Sequence, residues 1–163
     1  MSFPSSGAGG FWLDLLGRLG PSYLAQLLYD NVNLHGGDYP LVSYAQGRVE
    51  YEPHRSLWAF GLGYVSAQRS TATINLNGFG VGLSLLPGLR SGMSPYASVY
   101  VYPNLHSGGV SSTFTSADAG VLLAPLPRGG FFVRVGGSLR AGLPSTTSPT
   151  TITGLQLGLG TSF

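Results

Sequence analysis

At 163 residues the chain fits a single domain; its 43% hydrophobic content excludes a disordered polymer, and its 9% charged residues exclude an ordinary water-facing surface, which carries about 25%. The eight basic residues are all arginines scattered along the chain, and a net charge of +2 spread this thinly offers no patch for nucleic-acid phosphates. The absence of cysteine excludes disulfides and thiolate metal sites, and no apolar run reaches the roughly 18 residues of a transmembrane helix.

The opening MSFPSSGAGG has no positively charged n-region, so it reads as a Gly/Ser/Pro leader and not as a signal peptide. Residues 11–29, FWLDLLGRLGPSYLAQLLY, form the densest apolar segment. Phe11, Trp12, Leu15, Leu16 and Leu19 recur at helical spacing, which predicts an interfacial or plug helix; a first strand containing Gly17 and Gly20 is the other reading. Residues 30–40 (DNVNLHGGDYP) read as a loop.

Strands follow at 41–51, 56–66, 71–86, 95–102, 110–124, 130–142 and 150–163, separated by short Pro/Gly or polar links. In 56–66, Trp58, Phe60, Leu62 and Tyr64 share one face. In 71–86 the apolar set changes phase near Asn77-Gly78, which predicts a β-bulge. Tyr96, Tyr100 and Tyr102 lie opposite Ala97, Val99 and Val101. The closing segment alternates most cleanly, with Leu155, Leu157, Leu159 and Phe163 opposite Gly154, Gln156, Gly158 and Gly160. These seven strands run past the 5–6 residues of typical soluble strands. An even count requires an eighth from residues 5–40.

The long alternating strands and the terminal Phe163, with Leu157 and Leu159 on its face, resemble a small bacterial outer-membrane β-barrel of the OmpA/OmpX-like size class. That resemblance implies a membrane-spanning antiparallel up-and-down barrel of about eight strands with a short N-terminal helical or plug segment. The leader and first apolar segment would occupy residues 1–40 and the barrel residues 41–163. It further implies an outer-membrane location in contact with lipid, a C-terminal signal read by the outer-membrane assembly machinery, and a neighbouring envelope protein as a possible partner. Links 52–55, 87–94 and 125–129 would share one side of the membrane, and 30–40, 67–70, 103–109 and 143–149 the other. Tyr39, Tyr51, Trp58, Tyr64, Tyr96, Tyr102, Phe131 and Phe163 would lie at the interfaces.

The residues point away from catalysis. His35, His54 and His106 fall in separate links, without metal-ligand spacing. His106-Ser107 lacks a carboxylate-supported arrangement. Gly78–Gly82 alternates glycine inside a strand with no helix or Lys after it, so it is no phosphate loop. No cofactor is expected. The more informative set is Arg48, Glu50, Asp118, Arg134 and Arg140, which alternation turns opposite the apolar face, predicting an interior polar network that braces the fold or lines a narrow channel.

Three functions therefore stand side by side: a structural, envelope-complex or channel-forming membrane barrel; a soluble lipocalin-like barrel with an apolar ligand cavity; and a β-rich subunit of a capsid or filament whose low charge reflects burial in an assembly.

Overall fold

Side-chain alternation along extended backbone sorts this chain into two faces, and almost every described residue obeys it. The computed structural model describes residues 8–34, 42–54, 56–69, 75–85, 92–107, 110–124, 130–143 and 150–162. They form β1 (Ala8–Gly20), β2 (Tyr23–Leu34), β3 (Val42–Tyr51), β4 (Trp58–Arg69), β5 (Asn75–Leu85), β6 (Gly92–Ser107), β7 (Val110–Ala124), β8 (Gly130–Leu143) and β9 (Thr150–Ser162). Each strand pairs antiparallel with its chain neighbour in one nine-stranded sheet, ordered β1 to β9.

The sheet is rolled. Arg48 of β3 donates to Ser116 of β7 across 3.1 Å, and the rings of Tyr44 (β3) and Phe114 (β7) lie 5.7 Å apart. In a flat sheet those strands would be about 19 Å apart, four spacings of roughly 4.8 Å. β1 and β9 come alongside each other, yet no hydrogen-bonded register joins them, so both remain edges. Nine alternating strands also leave these two edges running in the same direction.

Several expectations are corrected here. Residues 11–29 are strand, not helix or plug: Phe11–Gly20 belongs to β1 and Tyr23–Tyr29 to β2, joined by a tight turn at Pro21-Ser22. The helix-like recurrence of Phe11, Trp12, Leu15, Leu16 and Leu19 is instead apolar residues standing four apart in the sequence of one strand. Residues 5–40 thus supply two strands, giving nine in place of about eight. Asp30–Leu34 continues β2, while residues 35–40 lie outside the described set. The closed up-and-down barrel is replaced by a roll open between β1 and β9.

Hydrocarbon cannot satisfy the orphan N–H and C=O groups of such edges. The resemblance to outer-membrane barrels therefore fails, and with it fall the outer-membrane location, the lipid contact and the assembly machinery as partner. Phe163, proposed as that machinery's signal with Leu157 and Leu159, lies outside the described residues. The channel reading fails separately because the interior is filled: Tyr44, Tyr100, Tyr102, Phe114, Leu28, Leu76 and Arg140 are fully buried inside the roll. Among the described residues no helix is long and apolar enough to cross a membrane.

The lipocalin-like orientation is reversed as well. Many large apolar side chains of the strands face outward, with Leu62 68%, Phe79 75% and Leu157 73% exposed. Tyr96 and Tyr102, expected at an interface, are buried inside, while Tyr51, Trp58 and Tyr64 face out. The phase change near Asn77-Gly78 coincides with a shift of register between β5 and β6, between Asn77 and Val81, but the extra residue is in β6 and not in β5. That strand pairs with β4 without interruption from Asn75 to Leu85. Leu76 points inward and Phe79 outward, so the apolar side chains change face while the backbone keeps phase. The irregularity lies in β6, whose register shifts between Tyr102 and Leu105, where Asn104 adopts φ 59°.

Glycine makes the roll possible on its tightest wall. Tyr100 and Tyr102 of β6 lie across β5 toward β4: a Cβ added at Gly82 would stand 2.5 Å from the Tyr100 ring, and one at Gly63 would stand 2.6 Å from the Tyr102 hydroxyl. Neither position can carry a side chain unless a ring moves. Replacing Gly82 with Ala should therefore destabilise the fold by about 1–3 kcal/mol through overpacking. Gly47→Ala, where nothing lies within 4 Å of the new carbon, should be near neutral. Urea unfolding followed by tryptophan fluorescence compares the two.

Candidate functional site

On β3, side chains of equal parity share the inner face, and Tyr44, Gln46, Arg48 and Glu50 are buried there in succession. The pairing of β6, β7 and β8 brings Ser98 beside Asp118 and Ser116 beside Arg140. Rolling the sheet closes the remaining gap and sets these two groups against each other.

Asp118 is the junction. Its Oδ1 accepts from Arg140 Nη2 at 2.7 Å, and its Oδ2 lies 3.7 Å from Arg48 Nη2 and accepts weakly from Ser98 Oγ at 3.4 Å. Arg48 spreads its remaining donors over Gln46 Oε1 (2.6 Å from Nη2), Gln26 Oε1, Ser98 Oγ and Ser116 Oγ. Its guanidinium also sits 4.1 Å from the Tyr100 ring centre. Arg140 donates to the carbonyls of Ala117 (3.0 Å) and Leu139 (3.1 Å) and to the Tyr44 hydroxyl.

Glu50 forms a second node, accepting from Tyr100 Oη at 2.5 Å and Ser84 Oγ at 2.7 Å. Arg134 stands at a third position, with its guanidinium 4.0 Å from the ring centre of Tyr96, beside a cluster of Leu24, Leu122 and Phe132. The fold thus brings Arg48, Asp118 and Arg140 into one ionic group, places Glu50 next to it through Tyr100, and stacks Arg134 on Tyr96, from where its charge also acts on Asp118. Among the described side chains, these three arginines and two carboxylates lie inside.

The electrostatics match the packing. Burial alone would raise the Asp118 carboxyl, but Arg140 and then Arg48 outweigh it and hold the group below the usual carboxylate range. Burial would likewise lower Arg140, yet Asp118 and Tyr44 lift it, so the guanidinium stays charged. Burial, reinforced by Glu50, pushes the Tyr100 phenol up, keeping it a neutral donor. Burial also raises Tyr102, whose hydroxyl donates to Gln46 Oε1 at 3.1 Å.

Sequence reading missed Gln26, Tyr44, Gln46, Ser84, Ser98, Tyr100 and Ser116 as members of this network. The available signal was parity: Tyr44 and Gln46 share the face of Arg48 and Glu50, and Ser98 and Tyr100 sit opposite Val99 and Val101.

Both interior carboxylates accept hydrogen bonds from buried partners, Glu50 from Tyr100 and Ser84 and Asp118 from Arg140 and Ser98. Among the described residues no three of His, Cys, Asp and Glu are grouped to hold a metal. His54 lies exposed in the β3–β4 link, and His106 is exposed near the end of β6 with its Nδ1 beside the Asn104 carbonyl. His35 lies outside the described residues. Outside the roll, a shallow depression of about 450 Å³ runs over the small residues Ala97, Ala117, Ala119 and Gly137 between Val99 and Leu139.

No family model matches the chain, and no curated protein or solved structure matches it either.

Removing Asp118's charge leaves two buried guanidiniums without their shared counter-ion. Asp118→Asn should cost roughly 3–5 kcal/mol in urea unfolding. Because the folded carboxyl titrates lower than the unfolded one, its contribution is complete above about pH 4 and fades as pH falls through the folded value. Acid unfolding curves should accordingly show a shallower pH dependence in the Asn variant than in wild type. Tyr100→Phe, which removes a charge-assisted donor from Glu50, should cost about 1.5–3 kcal/mol in the same assay.

Proposed function

We propose that this protein is a non-catalytic, β-rich subunit of a larger protein assembly, in which neighbouring polypeptide covers its outer face. The observation that carries the reading is the apolar outer face. Charged and polar side chains share the interior with Leu, Phe and Tyr side chains, while Leu, Val, Phe, Tyr and Trp side chains from all nine strands face outward. Burying a large apolar side chain is worth about 1.5–3 kcal/mol, and a monomer in water rarely exposes a contiguous apolar patch beyond a few hundred Å². This outer face needs an apolar surround.

The open edges favour protein over hydrocarbon as that surround. A neighbouring chain offers backbone partners to β1 and β9, and lipid offers none. The filled interior and its hydrogen-bonded carboxylates support a bracing role for the ionic network.

Size-exclusion chromatography with light scattering, on protein folded without detergent, checks the proposal. The expected result is a discrete oligomer or a filament that forms reproducibly in water. A soluble monomer would refute it. So would protein that stays dispersed only in detergent and partitions into phosphatidylcholine vesicles, an outcome that identifies lipid as the covering medium.

A further inference from the structure

Resting on the assembly reading, we infer that copies of this chain join through β9, two β9 strands pairing antiparallel edge to edge about a two-fold axis near Gln156. The two edges of the sheet differ in how they are protected. Sheet edges ordinarily resist pairing through charges, prolines or bulges. β1 carries Asp14 and Arg18 and breaks register with β2 between Arg18 and Gly20.

β9 has none of these devices. Its thirteen residues, TTITGLQLGLGTS, contain no charge and no proline. Its register with β8 runs without interruption from Thr151 to Ser162. Edge backbone groups of such a strand form an unguarded template.

Exposure points to the same strand. Leu155 is 96% exposed, the highest value among the exposed large hydrophobic residues, and Leu157 is 73% exposed. The corresponding outward residues of the adjacent β8 are better covered, Val135 at 45% and Leu139 at 38%. On their β1 side Leu155 and Leu157 have a strand alongside but no hydrogen-bonded register among the described residues. A second β9, running antiparallel, sets its own leucines beside them and pairs the edge N–H and C=O groups in one step. β1, which lies alongside β9 without a hydrogen-bonded register, must move aside for this pairing but gives up no ladder hydrogen bonds with β9.

A second copy is favoured over an unrelated peptide because β9 is self-complementary. Its outward leucines meet leucines, and its uncharged sequence meets no like charge across the axis. Isologous contacts of this kind close at two copies.

The chain contains no cysteine, so single substitutions report contacts cleanly. Thr153→Cys, Leu155→Cys and Leu157→Cys would be oxidised in the assembled protein, beside Leu13→Cys on β1 and Leu62→Cys on β4. The expected result is a disulfide-linked dimer from at least one β9 variant and none from the other two. Leu155→Lys, which opposes like charges across the axis, should weaken association by roughly tenfold or more, whereas Leu13→Lys should not. Crosslinking through Leu13→Cys or Leu62→Cys as efficient as through β9, or a Leu155→Lys variant that associates like wild type, would overturn the β9 interface while leaving the assembly reading intact. A monomeric or detergent-dependent wild-type protein overturns both.

Discussion

A carboxylate held between two guanidiniums fastens this sheet into a roll. Asp118 belongs to β7, Arg140 to the adjacent β8 and Arg48 to β3, four strands away. A buried ion is expensive to desolvate, and the cost is offset only when its partners are close and their remaining donors are used. That requirement recruits the rest of the interior. Gln46, Ser98 and Ser116 take the other hydrogens of Arg48, and the Ala117 and Leu139 carbonyls with Tyr44 take those of Arg140. A flat sheet would strand each of these groups without a counterpart.

The same demand explains why the chain spends so much of its length on glycine. Charged groups can meet at the centre only if the wall around them is thin. Gly61, Gly63, Gly80 and Gly82 provide that thinness under Tyr100 and Tyr102, whose hydroxyls then reach Glu50 and Gln46. Gly82 and Gly80 are therefore as much a part of the polar network as the groups that carry its charge. Hydrophobic packing forms two clusters, one around Leu28, Tyr44, Tyr102 and Phe114 and the other around Leu24, Leu122 and Phe132.

Strand periodicity made much of this legible. The period of two located seven strands, and the parity of Arg48, Glu50, Asp118, Arg134 and Arg140 set them opposite the apolar face, the inner side of the roll. The segment at 11–29 misled because the apolar pairs Phe11-Trp12 and Leu15-Leu16 stand four residues apart in the sequence, which mimics helical recurrence. The tyrosines of β6 misled for a different reason. An aromatic ring with a hydroxyl suits a rim and an ionic interior equally well, and only the glycines of two neighbouring strands decide between them. Closure was not readable at all, since no residue pattern states whether the first strand pairs with the last.

An odd number of strands has a geometric consequence for anything attached to the chain. β1 begins at one rim of the roll, where Ala8 lies with the ends of β2, β4, β6 and β8. β9 ends at the other rim, where Ser162 lies with the Pro21-Ser22 turn and Glu52, whose backbone N–H bonds the Ser22 carbonyl at 2.8 Å. Two labels placed at Ala8 and Ser162 stand a full strand length apart, about 40 Å for thirteen extended residues before strand tilt is counted. The molecule is polar along its axis, and a tether at either position selects which rim is left free.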